Sequence, residues 1–313
     1  MSFKTFLKLV EIQTKLASLF PFLLGTLFAS VYFKQFNLIN TLLFFAGMLI
    51  FDMTTTSINN FMDYQKAKNA GYKDNVNVIG QEKIPENLVR TLIWIMLLIA
   101  AGLGIILTWR TDILVLLMGG ICFFIGVFYT FGPVPLSRMP LGELFSGVTM
   151  GFGIFFISVY VNLTEGTLLA FKFLPHHQFI LTGNYLEIAT VLLVSLPSVF
   201  TIANIMLANN ICDLEEDISN HRYTLPFYLG RKLAIQLFNF LIYFSYVAIM
   251  VAVVLGVYHP IMLGALISFI PVKKNLAIFN KKQVKSETFV ISIKNLILVN
   301  GSQVLFLAVS LLF

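Results

Sequence analysis

Apolar residues run in blocks of about twenty along the whole chain, and short polar segments carrying most of the lysines and arginines separate them. A block of that length fits an α-helix crossing a hydrocarbon core of ~30 Å at ~1.5 Å per residue. The pattern predicts nine spans, at about Leu16–Phe33, Leu38–Ile58, Val89–Thr108, Asp112–Phe131, Gly142–Val161, Leu186–Ala208, Leu233–Gly256, Val257–Val272 and Asn295–Phe313. The eighth of these is short. The polar joints are at 59–88, 132–141, 162–185, 209–232 and 273–294.

Two joints open on the same pattern. Asn59-Asn60-Phe61-Met62-Asp63 closes the second block, and Asn209-Asn210-Ile211-Cys212-Asp213 closes the sixth, 150 positions later. A shared pattern at equivalent places in two halves points to a duplicated architecture with a site between the halves. The second copy continues into Glu215, Glu216 and Asp217, with Arg222 five residues further on. On a helix, Asn209, Asp213 and Glu216 fall within a ~60° arc with Asn210 and Asp217 beside it, and Asp213 and Asp217 are one turn apart. Hard oxygen ligands in this arrangement suit Mg²⁺, which takes one or two carboxylates and leaves room for substrate phosphates. Arg222 is placed to meet an anion held by that metal. The plainer alternative is a helix that ends in a solvated charge cluster. In the first copy Ala67 stands where Asp217 stands in the second, so the first half is the poorer metal site.

The second span is more polar than anchoring requires. Asp52, Thr56, Asn59 and Asp63 lie within a ~60° arc of one helical face. An Asp inside a span costs ~2.5–3.5 kcal/mol on insertion scales, so this face lines a polar cavity or, at Asp52, bonds a neighbouring helix. Asn204 falls on a different face from Asp213 and is expected to hydrogen-bond between helices. Tyr129 sits where the fourth span meets its loop, either as an interface anchor or as a group that stabilises a cation. Pro133 and Pro135 end that span. His176 and His177 lie in a joint remote from the acidic motif and read as loop residues.

A hydrophobic fraction of 58% and a mean hydropathy of +0.86 exclude a soluble domain and leave no room for a separate one. The 313 residues read as one integral-membrane domain. Two isolated cysteines, Cys122 and Cys212, make neither a zinc site nor an expected disulfide. With the N-terminus inside, 18 of the 21 basic residues fall in inner segments and only Lys34, Arg110 and Lys172 in outer ones. This places the N-terminus and both motifs in the cytosol and the C-terminus outside, in a multi-pass protein of the cell membrane whose first block is a retained span. Ordinary topology accounts for most of these lysines. Only Arg138 and Arg222 are singled out as diphosphate-binding candidates, because an acidic metal site and basic residues on one face match a metal–diphosphate.

Taken in order, Pro21-Phe22-Leu23-Leu24-Gly25, Asn59-Asn60-Phe61-Met62-Asp63-Tyr64, Tyr129-Thr130-Phe131-Gly132-Pro133, Leu141-Gly142-Glu143-Leu144 and NNICDLEED followed by Arg222-Tyr223-Thr224-Leu225 resemble the UbiA family of intramembrane prenyltransferases. The run NNICDLEED looks like that of its MenA-type 1,4-dihydroxy-2-naphthoate polyprenyltransferases. The resemblance implies an all-α bundle of nine transmembrane helices, with two pseudo-repeated halves around a central cavity. It implies that Asn59, Asp63, Asp213 and Asp217 hold Mg²⁺ and the diphosphate. Asp63, Asp213 and Asp217 are the catalytic candidates, and Asn59, Asn60, Asn209, Asn210, Tyr129, Lys66, Arg138 and Arg222 are the candidate substrate contacts. The family's usual first motif is N-D-x-x-D, and Asn60 stands at its first Asp; Asp74 is a candidate to contribute in its place. The implied partners are a polyprenyl diphosphate, an aromatic acid and the lipid bilayer. No nucleic acid is expected, and no protein partner is predictable. Another aromatic acceptor, 4-hydroxybenzoate or homogentisate, is the alternative, with Glu11, Lys15 and Asp52 as polar candidates near it. A transporter would also suit duplicated halves and an intramembrane Asp, but these carboxylates cluster at the membrane boundary and not at its midplane.

Overall fold

A computed structural model describes residues 1–66, 77–130 and 139–313. In chain order the helices are α1 (Phe3–Leu9), α2 (Leu16–Val31), α3 (Leu38–Lys66), α4 (Val78–Gln81), α5 (Glu86–Arg110) and α6 (Ile113–Thr130). They continue with α7 (Gly142–Tyr160), α8 (Tyr185–Cys212), α9 (Leu214–Ser219), α10 (Leu225–Val254), α11 (Pro260–Lys281) and α12 (Val290–Val309). Eight of them are long and apolar enough to cross a membrane among the described residues. The remaining expected span coincides with α6, an apolar helix that is shorter in its described part.

Several boundaries differ from the apolar pattern. The first N-N-x-x-D copy lies inside α3, which continues to Lys66, and the second fills the last turn of α8, which runs to Cys212 with Asp213 as its cap. Polar side chains do not end a helix whose backbone bonds are already made within the segment. α10 begins at Leu225 and not at the expected Leu233, with Pro226 in its first turn, where a missing N–H is harmless. It bends at Gly230 (φ 75°, ψ 152°), a conformation that only glycine adopts cheaply. The eighth span is not short. It opens as a 3₁₀ segment, Pro260–Ser268, and runs as an α-helix to Lys281. The 162–185 joint, for which periodicity gave no element, contains a hairpin of β1 (Leu169–Leu174) and β2 (Gln178–Gly183), paired Leu169↔Gly183 through Leu174↔Gln178. His176 and His177 lie in its turn, both at positive φ.

α3, which carries the first motif, packs chiefly on the next long helix, α5; α8, which carries the second, lies between α7 and α10 and packs on both. Apolar side chains fill the spaces. Phe238, Phe279, Leu207 and Ile242 join α8, α10 and α11. Leu9, Phe61, Ile79 and Val89 join α1, α3, α4 and α5 beside the first motif. Lipid is as apolar as these residues, so close backbone approach and interhelical hydrogen bonds add what burial alone does not. Asn204 donates to the Phe238 carbonyl at 3.0 Å, as expected for that residue. Ser198 donates to Asn300 Oδ1, and Asn300 Nδ2 donates to Thr201, each at 2.8 Å, tying α8 to α12. The middle of α7 is a π segment, Gly147–Gly153. At Gly151 its backbone lies so close to α8 that a Cβ would fall 2.5 Å from Val199 Cα.

Gly151→Ala should therefore force α7 and α8 apart, a cost of about 1–3 kcal/mol. Gly119→Ala, where an added Cβ meets nothing within 4 Å, should be neutral or slightly stabilising. Thermal unfolding midpoints in detergent separate the two; equal midpoints would mean that the α7–α8 contact is not close-packed.

Candidate active site

The second motif is built where α8 stops. Asp213 caps the helix (φ −95°, ψ 7°) and α9 follows at once. The Asp217 N–H donates to the Asp213 carbonyl, and the Arg222 N–H donates back to the Asp217 carbonyl, both at 2.8 Å. The chain thus folds over itself and turns Asp217 inward, where its side chain is buried. Arg222 Nε lies 3.3 Å from Asp217 Oδ1, and Thr224 Oγ1 donates to Oδ2 at 3.4 Å. Burial pushes the Asp217 carboxyl up; the Arg222 guanidinium opposes that, and the charge of Asp213 adds to it.

Asn209 Oδ1 and Asp213 Oδ2 both accept from the ammonium of Lys285, which sits in the turn between α11 and α12. The two aspartates, read from sequence as sharing one ion, each have a separate basic partner here. Arg222, read as a partner for the bound anion, lies against Asp217. Asn210 is buried and donates to Glu143 Oε1 of α7 at 2.8 Å. Glu215 forms a solvent-facing bidentate pair with Arg231 at 2.6 and 2.7 Å, the plain charged rim that part of this cluster was open to being.

In the first motif Asn59 is half-buried and Asp63 is exposed at the end of α3. Asn60 is turned to the start of the chain, where its amide donates to the Leu9 carbonyl at 3.0 Å and to Glu11 Oε1 at 3.2 Å. Asn77 donates to the Asn60 carbonyl at 2.9 Å, fastening α4 to the same point. About two turns back along α3, Asp52 accepts from Lys15 Nζ at 2.7 Å and from Ser18 Oγ at 2.6 Å. Lys15, itself buried, also reaches Thr56 at 2.6 Å. Of the two readings of Asp52, the bond to a neighbouring helix is the one seen. Arg138, Asp74, Ala67, Pro133 and Pro135 lie outside the described residues, as do the side chains of Lys66 and Tyr129.

Lys285 had no place in the sequence reading. Its signal was a lysine-rich joint that topology explains already, and only the fold brings one member of it onto the motif. Among the described residues no three His, Cys, Asp or Glu side chains form a metal cage. Asn209 Oδ1 and Asp213 Oδ2 nonetheless converge on one cation, the Lys285 ammonium. Such a pair fits an ion that draws its remaining ligands from water and substrate phosphates, as Mg²⁺ does. A cleft of about 530 Å³ lies between α11 and α12, bordered by Gly264, Ser268, Gly301 and Phe306, and includes none of the motif residues.

A model of the UbiA prenyltransferase family matches residues 18–294. A 1,4-dihydroxy-2-naphthoate octaprenyltransferase of Bacillus subtilis is 27% identical over 256 residues, covering 81% of this chain and 75% of the relative. Among solved structures, a UbiA homologue from Aeropyrum pernix K1 superposes with a TM-score of 0.69 at 17% identity, over 94% of this chain and 98% of that one. A UbiA homologue from Archaeoglobus fulgidus, solved bound to GPP and Mg²⁺, gives 0.63 at 13% identity, over 99% and 100%.

The Lys15–Asp52 pair sets a test of how this face is held. Lys15→Met leaves the Asp52 carboxylate without its cation and should cost about 3–5 kcal/mol, whereas adding Asp52→Asn should recover most of the loss. A wild-type unfolding midpoint for Lys15→Met would show that the pair does not hold α2 to α3.

Proposed function

The chain belongs to the UbiA prenyltransferase family, and we propose that it transfers a polyprenyl group from a polyprenyl diphosphate to 1,4-dihydroxy-2-naphthoate. The ring carboxylate leaves as CO₂ and the product is a demethylmenaquinol, on the way to menaquinone. The observation that carries this reading is the convergence of Asn209 Oδ1 and Asp213 Oδ2 on a single cation at the end of α8. The similarity to the Bacillus subtilis octaprenyltransferase supports the choice of acceptor, and the motif-bearing face is taken as cytosolic on the distribution of basic residues.

Asn59, Asp63, Asp213 and Asp217 are assigned to Mg²⁺, and the cation shared with Asp213 supports adding Asn209, expected from the sequence as a substrate contact. When bound, that ion offsets the negative charge that builds up on the departing diphosphate. Arg222 and Lys285 bring further positive charge to the same end of α8. The bond from allylic C1 to the diphosphate oxygen breaks with its electron pair leaving on oxygen. The ring carbon bearing the carboxylate supplies the pair for the new bond to C1, and loss of CO₂ restores the aromatic ring. Apolar surroundings keep water from trapping the cation-like C1. A site within a helical bundle suits a donor whose tail stays in lipid.

The test is purified protein in lipid with Mg²⁺, a polyprenyl diphosphate and 1,4-dihydroxy-2-naphthoate, read by mass for the prenylated, decarboxylated product. Product is expected with Mg²⁺ and not with EDTA, and Asp213→Ala should lower turnover at least about 100-fold, the scale of losing one electrostatic contact to the leaving charge. Product from 4-hydroxybenzoate or homogentisate alone would replace the acceptor; flux across proteoliposomes with no product from any acceptor would replace the class.

A further inference from the structure

Lys285 is carried on a turn that is bonded to itself. Within Val284–Phe289 the Thr288 N–H donates to the Val284 carbonyl at 2.8 Å, and the Val284 N–H donates to Thr288 Oγ1 at 2.8 Å. Lys282 pairs with Glu287 at 2.7 Å, and Gln283 donates to the Phe279 carbonyl at 2.5 Å. The other cations near the motif have carboxylates outside the Asn209–Asp213 pair, Arg222 with Asp217 and Arg231 with Glu215. Lys285 alone among these places its charge on the two oxygens assigned to the metal. Its side chain is 48% exposed and that of Asp213 is 22% exposed. Its ammonium also lies 5.3 Å from the centre of the Phe289 ring.

We propose that Lys285 is a tethered counter-cation of the second motif: it competes with free divalent metal for Asn209 and Asp213, and passes to the diphosphate when metal and diphosphate arrive together. The proposal rests on the prenyl-diphosphate reading of the site. An ammonium and a divalent ion cannot both take the same two oxygens, so a metal arriving alone has to displace Lys285. An exposed ion pair is weak, so Lys285 leaves Asp213 easily once a better anion is at hand. A diphosphate carries more charge than one carboxylate, and a lysine is a compact charge on a flexible four-carbon stem, able to change partner while its backbone stays fixed by the turn. Lys285 then couples the two ligands, disfavouring metal alone and favouring metal with diphosphate.

The test uses the full-length protein in detergent, with Mn²⁺ as the metal followed by electron paramagnetic resonance and geranyl diphosphate as the donor. Lys285→Ala should bind Mn²⁺ alone about threefold more tightly, the scale of an exposed ion pair removed. The same variant should bind geranyl diphosphate with Mn²⁺ about tenfold more weakly, the scale of one hydrogen bond to a charged group. Lys285→Arg should restore diphosphate binding. Unchanged or weaker binding of Mn²⁺ alone by Lys285→Ala would overturn the competition, and unchanged diphosphate binding would overturn the transfer. Asp213→Ala is the separate control on the metal site: if it binds Mn²⁺ as wild type does, the assignment of the metal to this motif fails whatever Lys285 does.

Discussion

A carboxylate at the edge of a hydrocarbon layer stays charged at tolerable cost only when cations or hydrogen-bond donors come to it. Much of the polar architecture here answers that requirement, and several of the answering cations come from distant parts of the chain. Lys15, from the turn before α2, reaches Asp52 in the middle of α3. Lys285, from the turn before α12, reaches Asp213. Arg222 folds back from beyond α9 to Asp217. Towards solvent, Lys8 with Glu82 and Arg231 with Glu215 repeat the arrangement at lower stakes. Each pair therefore also fixes one element against another. Glu143 is answered differently: one of its oxygens takes the Asn210 amide, and the other has no hydrogen-bond partner among the described residues. It joins α7 to the second motif without adding positive charge beside the aspartates.

The fold was legible because a bilayer imposes a length and a periodicity that composition cannot disguise. Where sequence reading went astray, the cause was local. Treating polarity as the end of a span set the boundaries before both motifs, although their helical spacing was read correctly and α3 and α8 carry them. The eighth span looked short because its polar last turns, around Lys273 and Lys274, were counted as loop when they are helical to Lys281. The hairpin at Leu169–Gly183 turns through Pro175, His176 and His177, with both histidines at positive φ, where glycine or asparagine is the usual signal. At the site, residue types were readable and their partners were not. Asp213 announced itself through the repeat, but nothing local distinguishes Lys285 from Lys281 or Lys282, and only the packing of α11 and α12 against α8 does so.

The two N-N-x-x-D copies use their second asparagine in the same way. Asn210 turns away from Asn209 Oδ1 and Asp213 Oδ2 and ties α8 to Glu143 of α7. Asn60 ties α3 to the Leu9 carbonyl and to Glu11. Asn60 occupies the position at which the family resemblance leads one to expect an aspartate, and the surroundings explain why an amide is suited to it. Both of its side-chain partners are acceptors. An ionised carboxylate at 60 has no proton to offer them and would face the Glu11 carboxylate as a like charge, whereas the asparagine supplies the hydrogens that both need. Glu11 is held there from a left-handed backbone position (φ 48°), uncommon for a residue with a side chain. The negative charge missing from α3 at position 60 is thus present beside it, on Glu11, brought in by the chain's first turns. At the first motif the neighbouring carboxylate comes from another segment of the chain, whereas at the second the carboxylates of Asp213 and Asp217 belong to the motif and Lys285 and Arg222 lie against them.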